Sequence, residues 1–353
     1  MKKIAFAGSG HIFPIKSLIE YFSSQNPELQ IFWFGEKNSM EEGICKQLEE
    51  SGINVKFVAI MSGKVRRYWT LKAIWLNLVD IFKLKIGFFQ SLYYLRKYKI
   101  DTLFSKGSVS LPPSIAARIL RKQVYMHESD TVPLANRVVG KFANKIFLGL
   151  ETVKEYFPKE KTQLVGQILG EVFYKERKVN KCSELSNLLL IGGSQAAIIL
   201  DALLEIASNH SEVLANYNIT IIGTLNKQYG EKFVDYKNIK FLEFVSQEEM
   251  AEILTCIDMS ITRSGTSLAE QDLFGIWKII IPLPFTGGNH QYRNAVDYVK
   301  RGDVLVEQKG DLKGKLLELL REKAGFKKTI AEKEIINEKI EDSKGVIYES
   351  MVS

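Results

Sequence analysis

A short apolar strand that ends in glycines and opens at once onto a helix aims unpaired backbone N–H groups at an anion. This chain has two such units. One is Gly8-Ser9-Gly10-His11 after the apolar run Ile4–Ala7; the other is Gly192-Gly193-Ser194-Gln195 after Asn187–Ile191. In the second, the paired glycines let the backbone approach a diphosphate closely, Ser194 adds a hydroxyl donor, and the following helix presents its positive end. A purely structural turn is the plainer alternative. Arg263-Ser264-Gly265-Thr266-Ser267-Leu268-Ala269-Glu270 follows another apolar strand and starts a helix. Glu270 falls in the first or second turn, where a carboxylate can accept both hydroxyls of a ribose or simply complement the helix dipole. His290, Gln291 and Asn294 cluster where the loop from Pro282 enters a helix, as groups for sugar hydroxyls or as caps. His127-Glu128-Ser129-Asp130 follows a strand at the end where parallel sheets bind ligands, and it too can be read as capping. Of the chain's four histidines, only His210 stands away from such a position.

The elements that must carry these residues alternate strand and helix throughout, which predicts parallel sheets built from βαβ units. The strands expected in the first half are Ile4–Ala7, Gln30–Phe34, Val55–Ala59, Thr102–Phe104, Gln123–Met126 and Lys145–Leu148. Those of the second half are Asn187–Ile191, Ile219–Ile222, Ile239–Phe244, Met259–Ile261, Lys278–Ile281 and Val304–Val306. Two glycine loops half a chain apart imply twin Rossmann-like α/β domains facing a cleft. The expected division is 1–162, 163–330, and a C-terminal helix, 331–353, returning to the first domain.

A length of 353 residues suits two domains of about 150 residues each. Cys45, Cys182 and Cys256 are odd in number and lack metal-ligand spacing, which predicts reduced thiols. The apolar run after Met1-Lys2-Lys3 stops at Gly8, too short for a signal peptide, and no stretch approaches the ~18 apolar residues of a membrane span. The net charge of +7 is unevenly spread: residues 64–99 hold nine Lys and Arg against the single acid Asp80, interleaved with aromatic and aliphatic residues. Such a pattern reads as an interfacial helix pair on anionic lipid headgroups, with a core helix bearing a solvated basic edge as the alternative. No nucleic-acid motif accompanies the charge.

In order and content these motifs resemble the MurG family of cell-wall N-acetylglucosaminyltransferases, which convert lipid I to lipid II. The likeness rests on His11-Ile12-Phe13-Pro14 after the first glycine loop, His127 to Asp130 against a His-Glu-Gln-Asn motif, and Gly192-Gly193-Ser194-Gln195. It extends to Arg263 through Glu270, to His290 through Ala295, and covers about residues 1–310 in one consistent order.

The resemblance implies a glycosyltransferase-B fold and an inverting transfer from UDP-GlcNAc, with no cofactor or metal, at the cytoplasmic membrane face. It places the donor mainly on the second domain and the lipid-linked acceptor on the first. By its implication His11 is the base, with Glu128 or Asp130 next in line. The backbone of Gly193 and Ser194 holds the departing UDP beside Gly192 and Gln195, and Glu270 reads the ribose. Main chain at Phe244 and Val245 reads the uracil; His290, Gln291, Asn294 and Asp130 read the sugar; Arg263 and Gly265 complete the donor set. Gly8, Ser9, Gly10 and Ser108 face the acceptor.

The chain also departs from the family. Its first loop is contracted; an Asn-Pro-Val-Arg segment reads Gln167-Ile168-Leu169-Gly170; and a Gly-Gly-Tyr-x-Ser loop reads Lys106-Gly107-Ser108-Val109-Ser110. The Arg263–Glu270 spacing is one residue short, and Ser129 and Asp130 replace Gln and Asn. A transferase with another lipid acceptor, a UDP-sugar 2-epimerase of the same fold, and an inactive partner-binding scaffold are the alternative readings.

Overall fold

The computed structural model describes residues 2–8, 12–63, 70–129, 134–176, 182–192, 196–223, 225–284, 289–327 and 343–352. They form two compact units, the first reaching Leu169 and regaining the C-terminal residues, the second starting at Gly170.

The first unit is built from β1 (Lys3–Gly8), α1 (Ile12–Gln25), β2 (Gln30–Gly35), α2 (Met40–Glu50), β3 (Val55–Ala59), α3 (Leu71–Lys97) and β4 (Thr102–Lys106). It continues with α4 (Leu111–Ile119), β5 (Gln123–Glu128), α5 (Leu134–Phe142), β6 (Lys145–Leu148) and β7 (Thr162–Leu164). The sheet is all parallel, in the order β3-β2-β1-β4-β5-β6-β7. Its strands are apolar at nearly every position because both faces are covered. Ile4, Phe6, Ile31 and Trp33 pack with α1 and α2, while Ala5, Ala7, Phe32 and Phe34 pack toward α4 and α5. Strand β7 straddles the expected boundary after residue 162. Its pairing with β6 keeps residues 163–169 in the first unit.

The second unit opens with α6 (Glu171–Lys175), β8 (Ser186–Ile191), α7 (Ala197–Asn209), α8 (Ser211–Leu214), β9 (Tyr217–Ile222), α9 (Asn226–Tyr229) and β10 (Ile239–Leu242). Then come α10 (Gln247–Cys256), β11 (Met259–Thr262), α11 (Ser267–Leu273), β12 (Trp277–Ile280), α12 (His290–Val299), β13 (Val304–Leu305) and α13 (Leu312–Glu322). Its sheet is again all parallel, in the order β10-β9-β8-β11-β12-β13. Ser246 and Glu249 form a reciprocal capping box that sets the start of α10. Beneath β12, the fully buried Lys278 ammonium is paired with Asp272 and Asp303; burial pulls its pKa down, but the two carboxylates outweigh that and raise it.

The chain ends in α14 (Ser343–Val352), which belongs to the first unit. Ile347 and Met351 are fully buried, and Tyr348 meets Phe22 edge-on at 4.9 Å between ring centroids. Lys2 Nζ donates to the Val352 carbonyl at 2.9 Å.

Two expectations are corrected. Cys182 and Cys256 are not reduced thiols but a disulfide, their Cα atoms 5.5 Å apart. Cys182 precedes β8 and Cys256 precedes β11, and the pairing of those two strands brings the cysteines together across 74 residues of sequence. Cys45 remains a free thiol, pushed up to about 12 by burial. The basic-aromatic segment is one helix, α3, of 27 residues rather than a helix pair. Lys64 to Trp69 lie outside the described residues.

Candidate active site

In each sheet the strand order reverses once, between β1 and β4 and between β8 and β11. Loops diverge at such a point and leave a crevice at the carboxyl ends of the strands, where open α/β sheets bind ligands. Three of the motifs chosen from sequence stand there: Gly8 ends β1, the Gly192 turn follows β8, and Arg263 to Gly265 follow β11.

In the second unit, Ile191 and Thr262 are register partners, so the two donor-side turns leave the sheet side by side. Gly192 is required by close packing, because a Cβ there would lie 2.3 Å from the Ala196 side chain at the start of α7. Gly193, Ser194 and Gln195 lie outside the described residues. Glu270 sits in the first turn of α11, as its place after Gly265 implies. Its carboxylate makes no hydrogen bond with any described residue, and burial lifts its pKa to about 7. A carboxylate left in that condition fits a ligand that brings its own donors.

The other donor-side residues divide. The Arg263 guanidinium is buried and turned along the sheet, donating to the Ile281 carbonyl at 2.9 Å and to Gln308 Oε1 at 3.1 Å; burial lowers its pKa to about 10. Gln291 Oε1 accepts from the Leu283 backbone at 2.9 Å, and buried Asn294 reaches the Ser264 carbonyl at 3.5 Å. These three residues therefore shape the loops after β11 and β12. His290 is the first residue of α12, after Asn289 in the left-handed region at φ 54°. Gly265 is exposed, and Phe244 projects past β10 with 85% of its surface exposed, followed by half-buried Val245.

In the first unit, His11, Ser9, Gly10 and Asp130 lie outside the described residues. Ser108 lies in a short 3-10 turn after β4. His127 and Glu128 do not follow β5, as expected, but end it as buried residues. Glu128 Oε1 accepts from the Ser129 backbone at 3.1 Å and Oε2 from Asn136 at 2.5 Å, so this carboxylate ties the end of β5 to α5. Lys106 is the residue that motif reading left without a role. It is 2% exposed, with Nζ 2.8 Å from His127 Nδ1 and 2.5 Å from Ser129 Oγ. Only the strand register could have shown this, by placing β4 beside β5.

Helix α3 has two apolar faces. Ser91 and Leu95 are buried against the unit. Trp75, Leu78, Phe82, Ile86, Phe89 and Tyr93, three or four residues apart, form an exposed stripe. Lys83, Lys85, Arg96 and Lys97 are exposed on the same helix. Among the described residues, no helix is long and apolar enough to cross a membrane.

Residues 4–148 match the glycosyltransferase family 28 N-terminal domain, and residues 187–346 the family's C-terminal domain. A protein of Borrelia hermsii is 30% identical over 325 residues, which cover 88% of this chain and 83% of its own. One of Streptococcus pyogenes is 32% identical over 329 residues, covering 88% and 86%. Both are named UDP-N-acetylglucosamine–N-acetylmuramyl-(pentapeptide) pyrophosphoryl-undecaprenol N-acetylglucosamine transferase. Among solved structures, MurG of Acinetobacter baumannii superposes with a TM-score of 0.70 at 18% identity, covering 100% of this chain and 99% of its own. A UDP-GlcNAc 2-epimerase of Neisseria meningitidis gives 0.67 at 14% identity, covering 100% of both chains. Transferases and epimerases thus share this fold, and the sequence relatives separate them. The chain belongs to glycosyltransferase family 28, as a divergent MurG-like UDP-N-acetylglucosaminyltransferase.

Proposed function

We propose that the protein transfers GlcNAc from UDP-GlcNAc, with inversion, to the lipid-linked muramyl acceptor, converting lipid I to lipid II in peptidoglycan synthesis. The observation that carries the donor half is Glu270: a shielded carboxylate without a described hydrogen-bond partner, in the first turn of α11 beside the β8–β11 switch point. In this reading Glu270 accepts the ribose hydroxyls, and main chain at Phe244 and Val245 meets the uracil. The backbone of Gly192 to Gln195, at the start of α7, holds the diphosphate as it leaves. His290 faces the sugar, while Arg263, Gln291 and Asn294 keep the loops in shape around it. The chemistry proposed uses backbone amides and a helix start in place of a metal. His11 removes the proton from the acceptor hydroxyl beside the Gly8–Gly10 loop and Ser108, and Glu128 ties the end of β5 to α5. Calorimetry on the full chain tests the donor half: UDP and UDP-GlcNAc are expected to bind and ADP not. Equal binding of ADP would remove the uridine assignment.

The reading extends to the cytoplasmic face of the membrane, where the exposed stripe of α3 would dock the protein. Apolar side chains on the outer face of a helix whose inner face is already packed have no use in a solvated edge, and lysines beside them suit anionic headgroups. Each basic residue near the surface contributes about 1 kcal/mol, screened by salt, while the inserted aromatics give a part that salt does not screen. Co-sedimentation with liposomes is expected to rise with anionic lipid and to weaken without vanishing as salt increases. Changing Arg66, Arg67 and Lys72 to Glu should lower the salt-sensitive part, and changing Trp75, Phe82 and Phe89 to Ser the remainder. Equal binding to neutral and anionic vesicles, or none to either, would rule out this surface.

A further inference from the structure

Lys106 ends β4 in register with Gly8, and a Cβ at Gly8 would lie 2.3 Å from the Lys106 carbonyl oxygen. The first glycine loop therefore starts directly on the Lys106 backbone. From that point the Lys106 side chain runs to β5, where its ammonium meets His127 Nδ1 and Ser129 Oγ. On the far side of the ring, His127 Nε2 is 2.9 Å from the Gly166 carbonyl. Gln167 Nε2 donates to the Ser129 carbonyl at 2.8 Å, and Ser343 Oγ donates to the Gln167 carbonyl at 3.0 Å. One buried network thus joins β4, the end of β5, the segment after β7 and α14.

A carbonyl only accepts, so Nε2 must carry a proton; an ammonium only donates, so Nδ1 must present its lone pair. The Ser129 hydroxyl, 3.4 Å from Nδ1, can donate to the same lone pair, so it agrees with the tautomer that the ammonium and the carbonyl set. We infer that Lys106 is a positioning residue for the acceptor side: it locks His127 as the neutral Nε2–H tautomer and pins Ser129, and thereby fixes the end of β5 next to β4. Its effect on turnover rests on the transferase reading above; its effect on His127 does not. The lysine stands where the motif of the resembling family carries a glycine.

The test pairs a spectroscopic readout with kinetics, on the full chain. In 15N-histidine NMR near neutral pH, wild-type His127 is expected to show a protonated Nε2 and an unprotonated Nδ1. Lys106→Met should lose that single tautomer, and Lys106→Gln, which offers an uncharged N–H to Nδ1, should recover it. With UDP-GlcNAc and lipid I, Lys106→Met is expected to lower kcat/KM for the acceptor about 10- to 100-fold and to leave the Kd for UDP within about twofold. Lys106→Gln should regain part of that loss. A wild-type His127 protonated at Nδ1 would overturn the inference without any variant. So would a Lys106→Met protein with an unchanged tautomer and unchanged acceptor kinetics. Absence of transfer by the wild type would instead fail the proposed function, with the spectra still deciding the network.

Discussion

His11→Ala is expected to lower GlcNAc transfer roughly 10²–10⁴-fold while leaving the affinity for UDP nearly intact. An inverting transfer needs one group to take the proton of the attacking hydroxyl as the glycosidic bond to UDP breaks. An imidazole titrates in the range where it can do so at neutral pH. His11 follows directly on the glycine loop that β1 delivers to the switch point of the first unit. Of the other two candidates, Glu128 has both carboxylate oxygens engaged by Ser129 and Asn136. Steady-state rates with saturating UDP-GlcNAc, set beside calorimetric UDP binding, provide the check. A variant that turns over at close to the wild-type rate would move the base away from His11, with Asp130 the next residue to change.

Glu270→Ala is expected to weaken UDP binding about 10- to 150-fold, the loss of hydrogen bonds to a charged group worth about 1.5–3 kcal/mol. The pH dependence makes this more specific. Burial raises the Glu270 pKa from its ordinary 4.5 to about 7, so the free protein favours the neutral carboxyl below that value. The folded state then binds more protons than the unfolded chain between these two values. The stability of the unliganded protein should therefore fall as pH rises through that window and level off above it. Ribose hydroxyls donate to the ionised form. Affinity for uridine, which has no phosphate to titrate, should consequently increase about tenfold between pH 6 and 8. Glu270→Gln should flatten that dependence. Uridine affinity independent of pH in the wild type would remove Glu270 from the ribose.

The sequence made the sheets legible because their strands are buried on both faces and read as short apolar runs; all twelve expected strands are present. Strand β7 escaped notice because Thr162–Leu164 is a three-residue edge strand without a buried residue. Glycine turns and a helix-start carboxylate marked the donor side from local chemistry alone. What local chemistry did not show was direction. Arg263 belongs to the expected motif, yet its guanidinium runs to Ile281 and Gln308. In α3 both faces are apolar, so periodicity could not tell the packed face from the open one. The Cys182–Cys256 pair and the Lys106–His127 pair depend on which strands lie side by side, and that is a property of the sheet order.

The most direct measurement is product formation by the full-length protein from UDP-GlcNAc and a panel of acceptors: lipid I, an undecaprenyl phosphate lacking the muramyl group, and diacylglycerol. The expected result is UDP release that depends on lipid I, with a product heavier by one GlcNAc and β-linked to the muramyl sugar. Transfer to diacylglycerol or to another polyprenol in preference to lipid I would contradict it, as would free N-acetylmannosamine formed without any acceptor.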